Sequence, residues 1–333
     1  MLSKPSYDGP TRLSSSDWPQ PNKAMPRNLP LILAVGILSI SASAILIRYA
    51  QGDGVPSLLI AAGRLDIAAI LLTPIVLMRY QNEIRHLVRR DVILALTSGF
   101  FLAIHFAAWV TSLEYTSVLV SVVIVTTSPI WVAMLEFFFL RSVPRRGVLI
   151  GLVIAIGGGL VIGMSGTGDT TSADAAISRE LIGGGLSLIG AVAVAVYLVI
   201  GRNLRNRLPV IPYIWLVYSC AGILLSIVVI LTQTPITGYA PTAYILLIAM
   251  AVFPQLLGHS SLNYAVGYLP ATFVSLITQL EPIGSALLAF LLFAEVPTLA
   301  QIIGSLIILL GVIVASITRS NRHNKRKQDA KTI

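Results

Sequence analysis

Charged residues are scarce in this chain of 333 residues: they make up 11% of it, whereas soluble domains carry about 25%. Cysteine is scarcer still, because Cys220 is the only one, which excludes an internal disulfide and a cysteine-based metal site. The motifs of zinc hydrolases, serine hydrolases and phosphate-binding loops are also missing. These absences exclude an ordinary soluble domain and an ATP-driven pump, and we expect no cofactor and no metal site.

Long apolar runs account for most of the chain. Hydrophobic residues make up 56% of it, and the mean hydropathy is +0.85. A helix needs about 20 apolar residues to cross a bilayer, and runs of that length recur along the sequence. We therefore predict an all-α integral membrane protein with ten transmembrane helices, at 30–50, 57–79, 91–111, 117–140, 146–164, 181–201, 211–232, 242–264, 269–293 and 297–317.

Positive charges are distributed unevenly between the predicted loops. If the N-terminus is cytoplasmic, all of the 23 lysines and arginines except Arg48, Arg64 and Arg179 lie in cytoplasmic loops and tails. The positive-inside rule therefore predicts a multi-pass protein of the cell membrane with both termini in the cytoplasm. The net charge of +9 then reflects membrane topology, and we expect the lipid bilayer, not nucleic acid, as the partner of these charges.

Polar segments flank the apolar region at both ends. Residues 1–29 contain scattered Pro and Ser and are predicted to be a disordered cytoplasmic tail, with no signal peptide. Met25 lies shortly before the first apolar run and is an alternative start site, which N-terminal sequencing would test. Residues 318–333 are predicted to be a basic cytoplasmic tail.

The apolar region contains an internal repeat with a constant offset of 153 residues. Prolines and glycines carry this signal, since they mark backbone events that chance matches among Leu, Ile and Val do not. Each half, 30–164 and 181–317, holds five predicted spans, and an odd number requires the second half to be inverted relative to the first. The matched pairs are Pro129 with Pro282, Pro144 with Pro297, Gly151 with Gly304, and Gly158 with Gly311.

These halves resemble the EamA-type permeases of the drug/metabolite transporter superfamily. The segments "HFAAWVTSLEYTSVLVSVVIVTTSPIWVAMLEFFFL" and "LPATFVSLITQLEPIGSALLAFLLFAEVPT" carry the resemblance, together with Arg64 early in the second span. One departure is Ser142, where such halves usually close with a glutamate, as Glu295 does in the second half. The resemblance implies a permease moving an amino acid, metabolite or drug by alternating access, with export as the expected direction and uptake as the alternative.

A glutamate next to a helix-breaking proline lies in the middle of the ninth predicted span. Pro282, like its repeat partner Pro129, is expected to kink its helix and free a backbone carbonyl. Glu281 would cost a few kcal/mol if it faced lipid, so we expect it to face protein or water. Two interpretations remain open: a site for a substrate amine or a coupling proton, and a protonated glutamate bonded to the kinked backbone.

Other intramembrane polar residues are candidates for the substrate site. Gln255, His259 and Asn263 are spaced four apart, as one stripe on an α-helix, and line either a cavity or a helix–helix contact. Arg64 either attracts an anionic group or anchors helix packing. The full set of substrate-binding candidates is His105, Trp109, Ser128, Gln255, His259, Asn263, Gln279 and Glu281.

Two further interpretations complete the sequence-based hypotheses. GxxxG spacings in spans five and six favour packing within the bundle and also allow a homodimer. A membrane-embedded enzyme or sensor is the rival class, but both tails are too short for an output domain. The tetrapeptide "GTGD" at 166–169 matches an intramembrane aspartyl protease motif; we interpret it as a chance match, because it lies in a polar loop.

Overall fold

The computed structural model describes residues 25–116, 118–140, 144, 146–164, 173–293 and 298–329, and every regular element within them is helical. The first half contains α1 (Leu29–Ser41), α2 (Ser43–Gly52), α3 (Ser57–Arg79), α4 (Gln81–Arg85), α5 (Arg89–Tyr115), α6 (Val118–Val125), α7 (Ser128–Leu140) and α8 (Arg146–Met164). The second contains α9 (Ala173–Arg205), α10 (Val210–Leu231), α11 (Pro241–Met250), a π-helix (Ala251–His259), α12 (Ser260–Ala265), α13 (Ala271–Ile277), a 3₁₀ turn (Thr278–Leu280), α14 (Glu281–Phe293) and α15 (Leu299–Asp329).

Eight apolar helices in the described residues are long enough to cross a membrane, against the ten spans predicted from the sequence. Two further apolar helices are shorter, Arg146–Val161 and Leu299–Ala315, and they coincide with the fifth and tenth predicted spans. Exposed large hydrophobic side chains cover the outside of the bundle, including Phe138 and Phe139 on α7, as expected for a lipid-facing surface. The all-helical membrane fold is thus confirmed, and the count of ten stays a prediction.

Four of the apolar helices are interrupted near their middle. A turn at Ala42 separates α1 from α2, and residues 126–127 separate α6 from α7, immediately before Pro129. The 3₁₀ turn separates α13 from α14, immediately before Pro282. A π-helix containing Pro254 replaces nine residues of α-helix between α11 and α12. Since proline lacks a backbone N–H and clashes with the preceding turn, a local change of helical geometry is expected at the three interruptions beside Pro129, Pro254 and Pro282.

Glycines bring α8 and α15 into very close contact. A Cβ atom added at Gly158 would lie 2.6 Å from the Gly304 carbonyl oxygen, and Gly151 meets Gly311 in the same way. The contact is therefore exchanged between the repeats. Gly158 touches Gly304, which is the repeat equivalent of Gly151, and Gly151 touches Gly311, which is the repeat equivalent of Gly158. Gly159, by contrast, faces open space.

Several sequence-based predictions fall outside the described residues or beyond a predicted boundary. Residues 1–24, Ser142, Glu295 and the loop at 166–169 lie outside the described residues. The last helix does not end at 317: α15 continues to Asp329, through most of the segment predicted to be a basic tail.

Candidate functional site

A central cavity lies where the interrupted helices meet. It encloses an empty volume of about 570 Å³, the open solvent at its mouth included. Irregular backbone is tolerated at membrane depth where it lines such a cavity. The wall comprises Ile40, Ser43, His105, Trp109, Val125, Thr126, Ser128, Val194, Tyr197, Leu198, His259, Leu262, Thr278 and Glu281.

Glu281 supplies the only carboxyl group among the described residues that line this cavity. Its side chain is 9% exposed, and no described residue donates a hydrogen bond to its carboxylate. The carbonyl that loses its usual donor to Pro282 is that of Thr278, and it accepts the backbone N–H of Glu281. The Ser41 hydroxyl lies 3.2 Å from the Glu281 carbonyl oxygen. The Glu281 carboxyl group thus lines the cavity with no hydrogen-bond donor among the described residues.

Three ring side chains form another part of the wall. His105 stacks on Trp109 with ring centroids 5.9 Å apart and an interplanar angle of 10°, and His259 lies 6.3 Å from His105. His105 Nδ1 lies 2.8 Å from the Gly190 carbonyl oxygen, which can only accept, so Nδ1 carries a hydrogen and neutral His105 keeps Nε2 as an acceptor. The indole N–H of Trp109 is buried without a partner among the described residues. This part of the wall is therefore aromatic, and its Trp109 N–H is a buried donor without a partner among the described residues.

Arg64 lies behind the cavity wall rather than in it. The side chain is fully buried, Nε donates to Gln255 at 3.2 Å, Nη1 donates to Ser43 at 3.0 Å, and the guanidinium lies 4.2 Å from the Phe106 ring centroid. No carboxylate of the described residues forms an ion pair with it. Arg64 thus joins α3 to α2 and to the π-helix, and its hydrogen-bond partner Ser43 lines the cavity.

The predicted stripe of Gln255, His259 and Asn263 is divided. His259 lines the cavity, whereas Gln255 and Asn263 are fully buried in a hydrogen-bond network. Hydrogen bonds in a π-helix run from residue i to i+5, so side chains four apart do not stack as they do on an α-helix. Asn263 donates to the hydroxyls of Tyr197 and Tyr218, the latter at 3.4 Å.

Tyr197 is a cavity residue that the sequence analysis missed. Its hydroxyl oxygen accepts from Asn263, which leaves its own hydrogen free for a group inside the cavity. Ser43, Thr126 and Thr278 were missed as well, and all three lie at helix interruptions. For Thr278 the sequence offered one signal, the 153-residue offset, which makes it the repeat equivalent of Val125. Both residues line the cavity.

Two sequence candidates have contrasting positions. Ser128 lines the cavity at the repeat position of Glu281, so equivalent points of both halves contribute to one wall. Gln279 is 2% exposed and lies one residue away from the lining residue Thr278 without joining the wall. In the described part of the chain, no group of three His, Cys, Asp or Glu side chains could hold a metal ion.

The fold and the cavity define a multi-pass helical membrane protein with a cavity of polar and aromatic side chains where its broken helices meet. The EamA-like transporter family model matches residues 29–164 and 181–317, and the chain belongs to that family. It is therefore a membrane transporter, as the resemblance of its sequence predicted.

Relatives and a solved structure agree with this assignment. The chain is 25% identical over 295 residues to the uncharacterized transporter YyaM of Bacillus subtilis (strain 168), covering 86% of this chain and 92% of that one. It is 22% identical over 302 residues to the uncharacterized transporter YetK of the same organism, covering 89% of each. One crystal structure matches with a TM-score of 0.72 at 18% identity, covering 87% of this chain and 97% of that chain, which shows the same fold.

Proposed function

We propose that this transporter moves a small organic solute across the cell membrane by alternating access through the central cavity. The solute is an amino acid, metabolite or drug that carries a cationic or polar group for Glu281 and a flat or apolar part for the ring wall. Export is the proposed direction. Glu281 is the proposed binding site for a substrate amine or a coupling proton.

The observation that carries the proposal is that the cavity coincides with the helix interruptions. Ser128 and Glu281 begin the second segments of two broken helices, one from each family repeat, and both line the cavity. Transporters built from inverted repeats bind substrate at such discontinuous helices near the bilayer midplane. A rigid scaffold would gain nothing from interrupting helices around an open volume.

The exchanged glycine contact supports inverted repeats. Under the 153-residue offset, Gly304 is the equivalent of Gly151 and Gly311 of Gly158, and the contacts join Gly151 to Gly311 and Gly158 to Gly304. A two-fold relation between the halves requires this pattern. If a residue of one half contacts a residue of the other, the repeat equivalents of the two residues must also contact each other. We therefore propose ten spans in two inverted halves, with Arg146–Val161 and Leu299–Ala315 as the fifth and tenth. The distribution of Lys and Arg supports cytoplasmic termini.

The test is a thermal-shift screen of purified protein with amino acids, metabolites and cationic drugs, followed by flux measurements in proteoliposomes. Solutes that stabilise the protein should be transported, and a pH gradient across the vesicle should change the flux if Glu281 carries protons. Glu281→Gln should weaken the shift, whereas Asp66→Asn makes the same chemical change outside the cavity wall, where Ser226 donates to Asp66 at 2.6 Å. Equal loss in both variants, or stabilising solutes that never cross the vesicle membrane, would contradict the proposal.

A further inference from the structure

Glu136 forms a buried ionic cluster outside the cavity. Its side chain is 2% exposed and pairs with Arg202 of α9. The same carboxylate accepts hydrogen bonds from the backbone N–H groups of Ala271 and Thr272, at 3.0 and 3.4 Å, and from the Thr272 hydroxyl. An arginine and three donors of α13 therefore converge on one carboxylate.

The cluster joins three helical segments at one end of the bundle. Glu136 belongs to α7, Arg202 to the last turn of α9, and the N–H donors to the first turn of α13. Since α7 and α13 are segments of the two broken helices, the cluster ties one family repeat to the other. At the opposite end, α6 and α14 are the remaining segments of the same helices, and they contact each other far less than α7 contacts α13.

The repeat has no equivalent cluster at the other end. The 153-residue offset relates Glu136 to Ala289, Arg202 to Tyr49 and Thr272 to Leu119, so neither the carboxylate nor the arginine has a charged counterpart. Separating α7 from α13 removes three hydrogen-bond donors from the buried Glu136 carboxylate and leaves it with Arg202 alone, which is costly for a buried charge. The two ends of the bundle thus differ in the polar contacts available to the broken helices.

We infer that Glu136, Arg202 and Thr272 form a latch that holds the cavity closed at their end of the bundle and must break in every transport cycle. That the latch breaks in each cycle rests on the proposed function, whereas the ionic cluster itself is a property of the fold. Glu136 is a positioning residue, since it contacts no cavity atom and acts through α13. The distribution of Lys and Arg assigns this end to the cytoplasmic face.

Accessibility of the cavity to a thiol reagent measures the latch without any substrate. Thr126 lines the cavity, and Cys220 is the only native cysteine, so a Thr126→Cys, Cys220→Ser chain reports on that one site. A membrane-impermeant maleimide is applied to right-side-out and to inside-out vesicles. Glu136→Gln, which keeps the shape and loses the charge, should raise the labelling rate from the cytoplasmic face about tenfold, as expected for loss of charge-assisted hydrogen bonds. Thr272→Val, which keeps the ion pair, should raise it less.

The matched control is the second ion pair near this end. Arg207 lies 3.3 Å from Asp91 on α5, and neither residue belongs to α7 or α13, so Asp91→Asn should leave labelling from both faces unchanged. Unchanged labelling in folded Glu136→Gln or Thr272→Val, or an equal rise in Asp91→Asn, would overturn the latch. If Glu136→Gln does not fold, the labelling rate of Thr272→Val is the result that tests the latch. A labelling shift in a protein that transports no solute would keep the latch and reject the proposed function.

Discussion

The close contact of α8 with α15 yields a quantitative prediction, because neighbouring glycines of α8 face opposite environments. The methyl group of Gly158→Ala would meet the Gly304 oxygen at 2.6 Å and the Ile308 nitrogen at 2.8 Å, which are backbone atoms that cannot rotate away. The methyl group of Gly159→Ala meets nothing within 4 Å. Both changes gain the same helix propensity, about 1 kcal/mol, so their difference isolates the steric cost. Overpacking costs about 1–3 kcal/mol, and Gly158→Ala should be less stable than Gly159→Ala by that amount.

Unfolding in detergent micelles, titrated with SDS and followed by helical circular dichroism, measures this difference in the free energy of unfolding. The repeat predicts a second result: Gly311→Ala, whose methyl group would lie 2.7 Å from the Ala155 nitrogen, should lose as much stability as Gly158→Ala. Equal stability of Gly158→Ala and Gly159→Ala would refute the steric argument. A loss in Gly158→Ala without one in Gly311→Ala would refute the two-fold relation between the halves.

The remaining predictions concern the cavity and the network behind it. Glu281→Gln removes the only carboxylate among the described lining residues, so any pH dependence of flux should disappear; a pH profile identical to wild type would exclude it as the proton carrier. His259→Ala should lower the apparent affinity for solute in a flux assay with little change in melting temperature. Asn263→Ala should instead cost about 1–3 kcal/mol of unfolding free energy, because the buried Tyr197 hydroxyl loses its donor while Tyr218 keeps Ser260; similar stability of the two alanine variants would contradict this division. Arg64→Ala should lower the unfolding free energy by about 1–3 kcal/mol for each buried partner, Gln255 or Ser43, that it leaves without a hydrogen bond. A melting curve like that of wild type would show that these hydrogen bonds do not stabilise the fold.

The candidate site was only partly predictable from single residues. His105, Trp109, His259 and Glu281 are rare polar groups inside apolar runs, and each lines the cavity. Gln255 and Asn263 have the same sequence signature but satisfy Arg64 and the tyrosines instead. A one-dimensional pattern cannot separate these outcomes, because an intramembrane amide is equally well satisfied by a solute or by a neighbouring helix.

The sequence by itself determined that the chain is an all-helical membrane protein, that its halves repeat, and that helices break beside Pro129 and Pro282. These properties follow from the hydrophobic effect and from backbone chemistry, which act on each segment locally. Only the tertiary structure decided which polar groups face the cavity, that Arg64 works from behind the wall, and that Glu136 joins α7 to α13. The reason is that those partners are far apart in the chain, up to 191 residues for Arg64 and Gln255, and a change from α- to π-helix alters which face a side chain occupies.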